Sequence, residues 1–260
     1  STPHPLHSSS TFTQGVAMQG KLVRLERPRD EDYELMARWF GPDAPAAVMA
    51  ATDGDVVTAE EFRRLDQSGG LRQFAVRDAE DRTVGAVHFK AQGPVGGYVL
   101  GGAIGDRELW RRGLGAEAFD LLIDHLFHAR NAHRVQFTTA LYNKNVLRLV
   151  TGVGFTLEGI LREYFYLDGR HHDGAVWGLL RHEYYAAVEE LKRTDATFTL
   201  PDAIPEADKE QARRLLAEYV AGPFGKTSTG LLLAAAGVTP QGRDRDRDHE
   251  ADRQPGAGER

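Results

Sequence analysis

Between Lys21 and Glu26 the apolar residues Leu22, Val23 and Leu25 are interleaved with charge, a pattern that predicts a strand. The period then changes. Over Asp30–Phe40, Tyr33, Met36 and Trp39 recur at helical spacing, and Thr58–Asp66 predicts a second helix with Thr58 as N-cap and Glu61 closing a capping box. Three strands follow, Leu71–Asp78, Arg82–Ala91 and Gly97–Gly105. The turn residues of Asp78–Asp81 and Gln92–Gly97 separate them and predict an antiparallel meander. A central helix, Leu114–Arg130, carries Ala118, Leu122 and Leu126 in one apolar row and Phe119 and Ile123 in the next, with Asn131 as its stop. Arg134–Ala140 reads as a short buried strand and Asn143–Thr151 as a short helix closed by Gly152. Phe155–Leu167 and Val176–Leu180 read as strands that pair across the Asp168–Gly174 turn. Helices are predicted at His182–Lys192 and Ile204–Val220.

The order β-α-α-β-β-β-α-β-α-β-β predicts a mixed α/β layer with a parallel pairing around the central helix. The expected organisation is a main domain over 20–192, a helical extension over 193–222, and poorly structured ends at 1–19 and 223–260. Residues 1–19 are rich in Ser, Thr, Pro and His without period, and Gln241–Arg260 alternates Arg with Asp among Gly and Pro. The extension presents Ala212, Leu215, Leu216, Tyr219 and Val220 on one face, which needs a cover: the main domain, a second subunit in a homodimer, or a partner.

With 41% hydrophobic residues the 260-residue chain can bury a substantial core, and its formal charge of −6 argues against a nucleic-acid partner. The absence of Cys excludes disulfides, cysteine-ligated metals and a thioester carried on the protein. The longest apolar run, Leu231–Val238, is far shorter than the roughly 20 residues a bilayer span takes. No charged, apolar and small-residue leader opens the chain, and Met18 is a candidate natural start. The expectation is a soluble, cytoplasmic protein without a membrane partner.

Candidate chemistry concentrates in Asp106–Ala118. A glycine-spaced strand runs in and a helix runs out, so Gly113 and Gly115 stand at a helix mouth whose bare N–H groups and dipole favour an anion. Arg111 and Arg112 flank it. This predicts a pyrophosphate-binding turn at Arg112, Gly113, Leu114, Gly115 and Ala116, and hence a phosphorylated cofactor. Gly101, Gly102 and Gly105 allow a close approach of another chain or ligand to the strand that ends at Ile104 and Gly105.

Over about Lys21 to Lys192 the chain resembles the GNAT acyl-CoA N-acyltransferases, and within them the RimJ/RimL-like branch. Three pieces carry the resemblance: Trp110-Arg-Arg-Gly113-Leu-Gly115-Ala-Glu117-Ala; Asn143 leading a helix that ends at Gly154-Phe155; and Glu158-Gly159-Ile-Leu-Arg162 followed by Asp168-Gly169 and Asp173. The resemblance implies a single, mostly antiparallel twisted sheet flanked by helices. It implies acetyl-CoA, or another acyl-CoA, as donor and no metal, with Arg111–Ala116 on the pyrophosphate. In relatives the strand ending at Ile104 and Gly105 splays from its neighbour and pairs with pantetheine, and Asn143 matches the Asn that contacts the cofactor arm. Asn143 is also a good N-cap. Two positions depart from the pattern: Trp110 stands where many members carry Gln or Arg, and Val146 where many carry a Ser proposed to protonate the thiolate.

The expected reaction is direct transfer of an acyl group to a primary amine, on a small molecule or a peptide N-terminus, without a covalent enzyme intermediate. His88 has a suitable intrinsic pKa for the base. Tyr164 and Tyr166 share a face with Arg162 and Glu158 by strand alternation, and are candidates for protonating the thiolate or lining the acceptor site; packing explains all three equally simply. Adjacent strand residues point apart, so His171 and His172 are not read as a metal pair. Two alternatives stand beside this. One is a non-catalytic acyl-CoA-binding or interaction domain. The other is an NAD- or FAD-binding oxidoreductase, since Gly113-x-Gly115-x-x-Ala118 fits a loose dinucleotide fingerprint, although no acidic residue ends a strand about 20 residues on.

Overall fold

The computed structural model describes residues 11–13, 17–42, 44–50, 55–195, 200 and 204–237. The chain divides into two units, Ser1–Pro201 and Asp202–Arg260.

The first unit is built on one nine-stranded sheet. Its strands are β1 (Thr11–Thr13), β2 (Ala17–Gln19), β3 (Arg24–Glu26), β4 (Arg72–Arg77), β5 (Thr83–Ala91), β6 (Gly97–Ile104), β7 (Arg134–Ala140), β8 (Thr156–Leu167) and β9 (Arg170–Leu180). They lie in the order β1-β2-β3-β4-β5-β6-β7-β9-β8. All neighbours are antiparallel except β6 and β7, which pair in parallel as the central helix requires. The helices are α1 (Asp30–Trp39), α2 (Pro45–Ala50), α3 (Ala59–Gln67), α4 (Leu114–Asp124), α5 (Lys144–Val153) and α6 (Arg181–Thr194).

Helix α4 supplies the largest core. Its row Ala118, Leu122 and Leu126 is completely buried against Leu25, Val76, Val87 and Phe89 of the sheet. The helix passes into a π turn, His125–Ala129, and stops at Asn131 in the left-handed conformation. On the opposite face Tyr33 and Met36 of α1 pack with Ala59 of α3 on Ala86. Thr58 and Glu61 form the capping box that starts α3.

The elements of this unit depart from the sequence expectation in six places. Strand β2 lies in the stretch expected to lack structure, because Met18 pairs with Leu25 and is buried. The strand predicted over Lys21–Glu26 shortens to Arg24–Glu26. The N–H groups of Lys21, Leu22 and Val23 leave the ladder for the carboxylate of Glu117, at 2.9, 2.6 and 2.7 Å. The six-residue α2 has too few residues to show a period. Helix α5 runs past Gly152 to a left-handed Gly154, and β9 begins at Arg170, so the hairpin turn is only Asp168–Gly169. Finally, register shifts at Leu157/Gly159 and Leu161/Phe165, with Glu163 at φ 53°, break the alternation of β8. Glu158, Arg162, Tyr164 and Tyr166 therefore do not form the single row expected of them.

The second unit holds α7 (Glu206–Ala221) and α8 (Pro223–Ala235), joined by Gly222 and by a 2.8 Å hydrogen bond between Tyr219 and Ser228. Helix α8 occupies part of the stretch expected to be loose. The expected apolar face of α7 is present, with Leu215, Leu216, Tyr219 and Val220 all exposed. The end segments 1–10 and 238–260, expected to be disordered, lie outside the described residues. Among the described residues no helix is long and apolar enough to cross a membrane.

Candidate active site

Strands β6 and β7 pair only through Gly97–Val99 and Arg134–Gln136. Beyond that they part, and the β7-facing edge of Leu100–Ile104 has no partner among the described strands. At the end of β6, Gly105 donates to the Val84 carbonyl at 2.9 Å while the Trp39 indole lies against it. A Cβ at Gly105 would fall inside that ring, so only glycine admits the contact.

A single 3-10 turn, Arg107–Leu109, then reverses the chain. The Trp110 indole N–H donates to the Ile104 carbonyl at 2.9 Å and ties the loop to the strand end. Arg111 (φ 69°) and Gly113 (φ 82°) are both left-handed, and Gly113 is the N-cap of α4. Alternation of this kind turns successive N–H groups towards one point and makes an anion-binding concavity. No side chain caps α4, so among the described residues the N–H groups of Leu114, Gly115 and Ala116 have neither an intrahelical nor a side-chain acceptor. Arg111, Arg112 and Gly113 are exposed, and Leu114, Gly115 and Ala116 are half-buried. Glu117, one residue further, is the buried group that holds the β2–β3 connection, so the helix mouth is anchored from behind.

Beside this loop lies a cleft of about 500 Å³ lined by Met49, Arg107, Trp110, Arg111, Tyr142, Lys144 and Asn145. Among the described residues three cations face it and no carboxylate does, which suits a polyphosphate. Pattern reading had singled out only Trp110 and Arg111 of this lining. The others come from α2, the 3-10 turn and the β7–α5 corner, and only the fold brings them together.

Asn143 is buried and both ends of its amide are engaged. Its oxygen accepts from Val146 N at 3.2 Å as the N-cap of α5, and its nitrogen donates to the Met49 carbonyl at 2.7 Å. His88 is half-buried on β5 opposite Gly101, with its ring against that glycine. Burial first, then the Lys90 charge, pushes its pKa down to about 4, so the ring is neutral at neutral pH. His88 does not line the cleft. Tyr164 and Tyr166 are exposed on the β8–β9 hairpin, packed edge-on to Phe165 and His171 respectively, and do not line it either. His172 packs instead on Tyr142, so the two histidines have different partners, as alternation predicts. A dinucleotide fold calls for a parallel sheet at the glycine turn, and here one pair alone is parallel among the described strands.

Residues 23–156 match the family model described as the acetyltransferase (GNAT) domain. The chain is 26% identical over 168 residues to the uncharacterized N-acetyltransferase p20 of Bacillus licheniformis, covering 62% of this chain and 94% of that protein. Among solved structures it is similar to the spermidine N-acetyltransferase of Vibrio cholerae in complex with CoA and spermine. The TM-score is 0.57 at 20% identity, over 63% of this chain and 98% of that one. It is also similar to the ribosomal-protein-S5-alanine acetyltransferase of Vibrio fischeri, with TM-score 0.53 at 20% identity over 64% and 97% of the two chains. At this identity the structural likeness establishes the fold.

Proposed function

The chain belongs to the GNAT acetyltransferase family, and on that premise we propose that it moves an acetyl, or another short acyl, group from coenzyme A to a primary amine by direct attack. One observation carries the reading: β6 and β7 part beside a helix start whose N–H groups are free. In this reading the pyrophosphate takes the N–H groups of Arg112–Ala116, with Arg111 and Arg112 neutralising its charge. The arm follows the unpaired edge to Ile104 and Gly105. The amine attacks the thioester carbonyl, the C–S bond breaks, and coenzyme A leaves as its thiolate.

His88, neutral on β5 opposite Gly101 of the parted strand, is the candidate for the amine's proton, although burial weakens it as a base. Tyr164 and Tyr166 are assigned to the acceptor side rather than to the thiolate, since both are exposed outside the cleft. The RimJ/RimL-like signature supports a peptide N-terminus as acceptor. The fold shared with a spermidine acetyltransferase supports a small polyamine equally, and fold alone does not choose between them.

The test is calorimetric titration with acetyl-CoA, CoA and NAD, followed by thiol-release assays on spermidine and an alanine-led peptide. Micromolar acetyl-CoA binding that Gly113→Glu abolishes, with thiol release on one of the amines, is the expected result. Binding without turnover on any primary amine would favour a non-catalytic acyl-CoA-binding domain. Binding of NAD alone would overturn both.

A further inference from the structure

We infer that the apolar face of the α7–α8 hairpin is a docking surface for a second copy of this chain, the two hairpins closing a four-helix bundle about a two-fold axis. The inference is independent of the transferase reading above. In α7, Leu215, Leu216, Tyr219 and Val220 fall at i, i+1, i+4 and i+5 and form one stripe. In α8, Phe224 and Leu231 are two turns apart and share a stripe, with Leu232 beside it. The 2.8 Å hydrogen bond between Tyr219 and Ser228 joins the two stripes, because Ser228 lies one turn after Phe224 and one turn before Leu231. The result is one continuous apolar face. It is nevertheless open, since each of these apolar side chains is about half exposed or more. Among the described residues of the two helices only Gly225 is buried. Helices of 16 and 13 residues with no core between them are marginal in water, so the face calls for a cover.

Size and charge point to a second copy as that cover. The open apolar surface is on the order of 800 Å2, beyond the roughly 300–600 Å2 of the largest patch on a typical monomer and close to one partner's share of a standard interface. A partner of opposite charge would find little to select. The cations of α7 are already paired within the helix, Lys209 with Glu206, Arg213 with Glu206 and Glu210, and Arg214 with Glu210. Helix α8 carries a single ionisable residue, Lys226, so two copies of it can meet without a row of like charges. Two helices are also half of a bundle. A two-fold axis supplies the other two with the same apolar stripes, which is the self-complementary contact an isologous dimer requires.

The test is sedimentation of the full chain from about 1 to 100 μM, beside the double variant Leu216→Glu/Leu231→Glu and the separate variant Ile160→Glu, which charges an exposed position of β8. Amide exchange over residues 206–235 is followed at the same concentrations. All three tryptophans, Trp39, Trp110 and Trp177, lie in the first unit, so unchanged tryptophan emission shows that unit folded in each variant. The expected result is a dimer whose Kd rises roughly 100-fold or more in the double variant, because each substitution occurs twice in the contact. Exchange over 206–235 should slow as the unaltered chain is concentrated, and Ile160→Glu should leave the dimer intact.

A monomer throughout, with 206–235 protected at every concentration, would overturn the inference by making the first unit of the same chain the cover. A monomer with 206–235 unprotected would overturn it by showing that no cover is needed. A dimer that survives the double variant but dissociates in Ile160→Glu would overturn it too, by placing the contact on β8. None of these outcomes touches the transferase reading, which the acetyl-CoA titration tests by itself.

Discussion

Replacing Glu117 by Gln exchanges one oxygen for an NH2 group, at a site where three backbone N–H groups converge on a carboxylate that is 6% exposed. The amide oxygen would keep the position that serves Leu22 and Val23. Its NH2 would then face the N–H of Lys21, donor against donor. One charge-assisted hydrogen bond is lost outright and two become neutral, which costs about 2–3 kcal/mol at the roughly 1.5–3 kcal/mol typical of bonds to charged groups. Loss of a negative charge in the first turns of α4 adds a few tenths of a kcal/mol in the same direction. Glu117→Ala leaves all three donors without an acceptor and should cost about 4 kcal/mol or more. Urea denaturation followed by tryptophan fluorescence measures this. With a slope near 2 kcal/mol per M, Glu117→Gln should move the midpoint down by about 1 M. Gly20→Ala is a companion, because its Cβ would fall 2.6 Å from the Glu117 carboxyl carbon. The double variant should therefore lose less than the sum of the two. A midpoint for Glu117→Gln within about 0.2 M of the unaltered protein would refute the reasoning, since it would show that water serves those donors as well as the carboxylate does.

Three further outcomes follow from the same geometry. Burial pushes the Asp124 pKa up to about 7 despite the opposing hydrogen bond from Tyr184, so the folded state binds its proton more tightly than the unfolded chain does. Stability should then decline between about pH 4 and pH 7, by on the order of a few kcal/mol, and level off above. Asp124→Asn should flatten that slope in unfolding curves across pH; Asp120, raised in the same direction by burial and by its acidic neighbours, keeps part of it. Gly105→Ala should cost about 1–3 kcal/mol through its collision with Trp39, read as a lower thermal midpoint, and a neutral result would mean the indole moves freely. Because His88 stays neutral down to about pH 4, kcat/KM should show no inflection from it between pH 5 and pH 8. An inflection near pH 6.5 that disappears in His88→Gln would show that the ring is hydrated rather than buried.

Much of this protein was legible from local pattern. Alternation and helical spacing located the meander, the central helix and its stop at Asn131, because each is decided by a few neighbouring residues: the apolar row of α4, the capping box of Thr58 and Glu61, a left-handed residue after a helix. The glycine turn was equally local, and its left-handed Gly113 and uncapped N–H groups are where the motif put them. What the pattern could not contain were interactions between residues far apart in sequence. The carboxylate of Glu117 takes backbone from Lys21–Val23, nearly a hundred residues away, and thereby shortens a strand whose alternation was sound. Tyr142 and Asn143 hold α2, a helix with too few residues to announce itself, and Met49, Arg107, Lys144 and Asn145 meet only once the sheet has parted between β6 and β7. The face of β8 was lost to two bulges that the residue types do not signal. Sequence by itself determined which segments fold locally and where a glycine turn opens a helix without a side-chain cap, because propensity and capping act over one or two turns. The tertiary structure alone decided which polar groups satisfy one another across the gap, because buried donors and acceptors must be paired by whatever the fold brings within reach.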